Sequence, residues 1–71
     1  MLEEILITFR VETWEEAQRV AWMAEDSTQD AALLDYLRQH GLSVPTDMQP
    51  TSGLAVKRAG GCYAEIEFSK K

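Results

Sequence analysis

The sequence predicts an α+β domain: a three-stranded, mostly antiparallel sheet with two helices on one face, in the order β-α-α-β-β. Three observations carry this reading. Residues 4–11 alternate in polarity, a Thr-x-x-Glu signal at residues 13–16 opens a run of helical apolar spacing, and two apolar segments flank Gly60-Gly61 near the end of the chain. With 71 residues the chain makes one domain, residues 1–71, and buries only about 60% of the surface its unfolded form exposes. Its 45% hydrophobic and 27% charged residues are the proportions of a chain that folds.

From Glu4 to Val11, the residues Ile5, Ile7, Phe9 and Val11 fall on one side and Glu4, Leu6, Thr8 and Arg10 on the other, the period of a half-buried strand. Thr13-Trp14-Glu15-Glu16 has the form of a capping box, in which Thr13 accepts from a first-turn amide and Glu16 reaches back to the Thr13 amide. Along the helix that follows, Trp14, Ala17, Val20, Ala21 and Ala24 make a narrow stripe of mostly small residues, suited to lying close on a sheet. Trp22 falls off that stripe. Residues 25–28 interrupt the pattern, and Ser27 with Asp30 is expected to cap a second helix running to about His40, with Leu33, Leu34 and Leu37 as its apolar ridge. Gly41 fits the left-handed position that ends a helix, with Leu42 as the accompanying hydrophobic contact.

Pro45 and Pro50 each push the preceding residue to extended geometry, so residues 42–52 are expected to form an irregular connection. The closing stretch, residues 53–68, reads as a hairpin. Side-chain parity favours a three-residue loop of Ala59, Gly60 and Gly61, with Gly61 left-handed, pairing Leu54 with Ile66 and Val56 with Ala64 and setting Ala55 and Lys57 on the face of Glu65. The uncovered sheet face then carries Leu6, Thr8, Arg10, Tyr63, Glu65 and Glu67. Strand order stays open.

Twelve Asp and Glu against seven Lys and Arg give a net charge of −5, which repels phosphate backbones and anionic lipid and attracts basic protein surfaces. Lys57, Arg58, Lys70 and Lys71 gather toward the C-terminus, but the overall charge argues against direct nucleic-acid binding. No apolar run approaches membrane-spanning length and no leader-like N-terminus is present, so a cytoplasmic, non-membrane protein is expected. One cysteine, Cys62, forms no internal bridge and reads as a small buried hydrophobe. The one histidine, His40, reads as a helix C-terminal residue favoured by the dipole. Neither Cys-x-x-Cys, His-x-x-x-His nor a phosphate-cradling glycine loop occurs, so no catalytic group, cofactor or metal is expected.

What remains suits protein recognition. Glu15, Arg19, Trp22, Glu25 and Asp26 lie off the apolar stripe, and Asp30 extends this acidic surface, so these six are the candidate partner-binding residues. Trp22 either stands outward as an anchor or folds over the edge of the core.

In size, charge and element order the chain resembles the small acidic proteins of phages and mobile elements, anti-CRISPR inhibitors among them. The likeness lies in the strand Ile5 to Val11, the helix opening at Thr13-Trp14-Glu15-Glu16 and the hairpin around Gly60-Gly61. It implies a non-enzymatic inhibitor whose partner is a CRISPR effector subunit, contacted on a basic nucleic-acid-binding surface with carboxylates in place of phosphates. An antitoxin-like or structural subunit that assembles through a sheet edge is the alternative, with the chain a monomer or a homodimer accordingly.

Overall fold

The alternation of residues 4–11 becomes strand β1 (Glu4–Val11) in the computed structural model, which describes residues 3–70. Helix α1 (Trp14–Glu25), a 3-10 turn at Ser27–Gln29, helix α2 (Asp30–Gln39) and strands β2 (Met48–Arg58) and β3 (Gly61–Lys70) follow. The sheet is antiparallel throughout, in the order β1-β3-β2. The last strand takes the middle because it has the most to bury: Ala64, Ile66 and Phe68 are all fully enclosed. They meet Phe9 and Val11 of β1, Ala17, Val20 and Ala24 of α1, and Leu33 and Leu37 of α2, so both helices cover the same face. Among the described residues, no helix is long and apolar enough to cross a membrane.

The helix boundaries follow local chemistry, with two corrections. The Thr13 hydroxyl accepts from the Glu16 amide at 3.1 Å, which is half of a capping box. The other half is diverted: Glu16 Oε2 accepts from the Tyr36 hydroxyl at 2.7 Å, tying α1 to α2. The expected Ser27–Asp30 cap does not form either. Asp26 takes the role, its Oδ1 accepting from the Thr28 amide at 3.0 Å and the Thr28 hydroxyl at 2.7 Å, because its extended backbone (φ −114°, ψ 105°) aims the carboxylate down the 3-10 turn. At the far end of α2, Gly41 has φ +76°, its amide donates to the Arg38 carbonyl and the Leu42 amide donates to the Leu37 carbonyl. These are the paired bonds of a Schellman ending. His40 caps the helix, exposed, with its ring 4.3 Å from that of Tyr36.

The second half of the chain departs further from expectation. Only residues 42–47 are irregular, since β2 already begins at Met48 and carries Pro50 opposite Phe68, with a bulge at Thr51. Proline is tolerated there because β2 is an edge strand and Pro50 turns its missing donor away from β3. The hairpin loop has two residues, not three. Ala59 (φ +50°) and Gly60 (φ +78°) are both left-handed, as in a type I′ turn, and Gly61 is a buried strand residue paired with Arg58. Leu54 therefore pairs with Glu65 and Val56 with Tyr63, on the open sheet face, while Gly53 and Ala55 pair with Ile66 and Ala64 beneath the helices.

The reason lies in α1. A Cβ added to Gly53 would stand 2.7 Å from the Cα of Ala21 and 2.9 Å from its carbonyl carbon, so the helix seats directly on the strand. The small-residue stripe of α1 needs small residues beneath it, and that requirement turns Leu54 outward. Leu54 is 58% exposed and Leu6 61% on the same open face. Lys57, expected beside Glu65, instead lies on the helix side with its Nζ 4.7 Å from the centre of the Trp14 ring. Cys62, on the same inward face, is a free thiol only partly buried at the core margin, not fully enclosed as the sequence suggested.

Candidate protein-docking face on helix α1

Burying Ala17, Val20, Ala21 and Ala24 fixes the rotation of α1 and thereby decides which residues face water. Trp22, between two buried alanines in sequence but rotated off their stripe, is 80% exposed, so it does not fold over the core. Glu15, Arg19, Glu25 and Asp26 are exposed beside it. Arg19, Trp22, Glu25 and Asp26 line one open depression together with Met23 and Gln29. Glu15, Arg19 and Trp22 line a neighbouring one with Gln18. The indole thus forms the wall between two hollows.

Five of the six candidate residues therefore form one surface. Asp30 does not join it. It opens α2 half-buried, its backbone amide donates to the Ser27 carbonyl, and its Oδ1 is enclosed without a hydrogen bond among the described residues. The 3-10 turn separates it from the α1 face.

The electrostatics of this surface are simple. The ion pairs among the described residues, Arg58–Glu65 and Lys70–Glu3, both at 3.5 Å, lie on the sheet, so Glu15 and Glu25 carry charge that no internal cation neutralises at contact. Asp26 is different in kind. The hydroxyl and then the amide of Thr28 hold its carboxyl below the ordinary aspartate range. The folded state thus prefers the ionised form, and this contribution to stability is present above the usual aspartate pKa and lost as pH falls below it. Asp26 is an acidic member of the face and also the hinge pin between the helices.

The structure adds residues that the helical wheel alone did not supply. On its other flank Trp22 shares a third depression with Trp14, Gln18, Ala21 and Glu25 of α1 and with Gly53, Leu54 and Ala55 of β2. Matching the small residues of α1 with Gly53 and Ala55 would have been the available signal. Among the described residues, no three His, Cys, Asp or Glu stand close enough to hold a metal ion. No family model matches the chain, and neither a curated protein nor a solved structure matches it.

Proposed function

We propose that the protein is a non-enzymatic, acidic interaction protein that docks the Trp22 face of α1 on a basic surface of another protein. The reading extends to an anti-CRISPR-type inhibitor, whose carboxylates occupy the nucleic-acid-binding surface of a CRISPR effector subunit. One observation carries it: a tryptophan 80% exposed, flanked by Glu15 and Glu25, which form no ion pair among the described residues. An indole that becomes buried on binding is a frequent energetic anchor, worth about 2 kcal/mol or more, and flanking charge steers a cationic partner into register. Unpaired carboxylates contribute more to such steering than those already bridged, because no internal cation cancels their field.

The test is a double charge reversal, Glu15→Lys with Glu25→Lys, made alongside Trp22→Ala. Asp26 is left intact because its carboxylate holds the 3-10 turn. From a lysate of the native host, the unaltered protein should retain an effector subunit that added guide RNA or target DNA displaces. Both variants should lose it while keeping their urea midpoints. Retention by the double reversal, or a complex indifferent to nucleic acid, would overturn the proposal.

A second reading, an antitoxin-like or structural subunit assembled through a sheet edge, is favoured by the order β1-β3-β2, which leaves β1 and β2 each paired on one side only. It predicts an apparent mass that rises with protein concentration.

A further inference from the structure

The strand β2 and the outward side of α1 meet in a groove of a recognisable kind. In a two-residue hairpin loop the flanking pair, here Arg58 and Gly61, exchanges both hydrogen bonds, and the bonding direction then alternates along the strand. Val56 and Leu54 accordingly bond toward β3, while the amides and carbonyls of Gly53, Ala55 and Lys57 point to the free edge. Pro50 and the Thr51 bulge end this clean edge on one side, and the turn at Ala59-Gly60 ends it on the other. Such an edge is a template for one more strand.

What lies beside the edge makes it specific. Trp14, Gln18, Trp22 and Glu25 of α1 line a depression together with Gly53, Leu54 and Ala55 of β2, beside the point where Gly53 meets the Ala21 backbone. Leu54, 58% exposed, borders the same depression from the strand. Lys57, laid over the Trp14 ring, closes one end with a positive charge, and Glu25, without an ion pair among the described residues, marks the other with a negative one.

We propose that the protein binds an extended, Lys- or Arg-bearing segment of its partner as a fourth strand on the free edge of β2. The segment's main chain bonds Gly53, Ala55 and Lys57. Its groove-facing side chains pack beside Trp22, with a cation toward Glu25. Its other side chains continue the open sheet face beside Leu54 and Val56. This deepens the docking reading of α1 and rests on it. A second copy of the chain is the less favoured occupant, because it would bring another net charge of −5 to the same acidic face.

The probe is a peptide of about seven residues with alternating Val and Lys, the length of an ordinary strand. Amide-resolved NMR follows its titration into the full chain. Binding should shift the amides of Gly53, Ala55 and Lys57 and slow their hydrogen exchange. Methylating the peptide nitrogens on the bonding side should weaken binding at least about tenfold, and Glu25→Lys should weaken it by roughly that factor. Equal binding by the methylated peptide with a continued loss in Glu25→Lys would overturn the strand addition and leave docking on α1 standing. Equal binding by a Val-Asp peptide would sink the charge assignment and, with it, the docking reading. No binding at millimolar peptide, or protection of these amides that grows with protein concentration without peptide, would overturn the proposal in favour of no strand partner or of a second copy.

Discussion

The two edge strands bury their inward faces by opposite means. β1 presents large side chains, with Phe9 and Val11 enclosed and Phe9 facing the Tyr36 ring at 6.1 Å, and α1 barely touches it. β2 presents Gly53 and Ala55, and α1 descends until the backbones of Gly53 and Ala21 are in contact. Under β1 the space between sheet and helices is filled by side chains; under β2 it is removed by close approach. Bulk can be exchanged for proximity, and on the strand that uses proximity the larger residues, Leu54 and Val56, are left for the open face.

The sharpest way to break this comparison is to reverse the means on each side. Phe9→Ala should open a cavity and cost about 3–5 kcal/mol, enough to unfold most of a domain whose margin is a few kcal/mol, as circular dichroism would show. Gly53→Ala adds one methyl group and should still cost about 1–3 kcal/mol by urea titration, because the atoms it meets are backbone. Adding Ala21→Gly should not restore the loss. An unchanged midpoint in Gly53→Ala would mean that helix and strand do not touch there, and the contrast between the edges would fail.

A smaller effect sharpens the β1 side. Tyr36→Phe removes the hydroxyl that donates to Glu16 and should cost about 1 kcal/mol. It should also change the alkaline arm of the stability curve. Partial burial, followed by the hydrogen bond to and charge of Glu16, raises the Tyr36 phenol above its ordinary pKa of about 10, so the folded state holds that proton more tightly. Its contribution is intact below pH of about 10 and lost as pH rises beyond it, and the variant should lack that part of the fall. Parallel curves for the two proteins would contradict the assignment.

The smallest effect concerns the turn that sets the β2 register. Ala59→Asn, at φ +50°, should stabilise the chain by about 0.5 kcal/mol, since asparagine tolerates the left-handed region and alanine does not. Destabilisation would argue against a two-residue turn and return Leu54 to the inward face.

Sequence and structure agree at several local signals, although the Ser27–Asp30 cap and the hairpin loop show that locality alone is not enough. The bounds of β1, the Thr13 cap and the glycine ending at Gly41 each depend on residues within about a turn of one another, whereas the exposure of Trp22, left open by the sequence, was decided by packing. The β2 register was misread because burial was assigned by side-chain size, so that Leu54 and Val56 were turned inward. The exposed surface around Trp22 gathers five of the six candidate residues for the same local reason, and Asp30 lies apart from it because the cap formed at Asp26.

By itself, then, the sequence determined the elements, their order, the acidic balance and the apolar stripe of α1, because periodicity and capping act between near neighbours in the chain. Tertiary structure alone decided that β3 is central, that Gly53 rather than Leu54 lies beneath the helix and that Trp22 shares a depression with an edge strand. Those outcomes depend on how closely α1 and β2, some 30 residues apart in the chain, approach each other, and that distance is set only when all the layers pack at once.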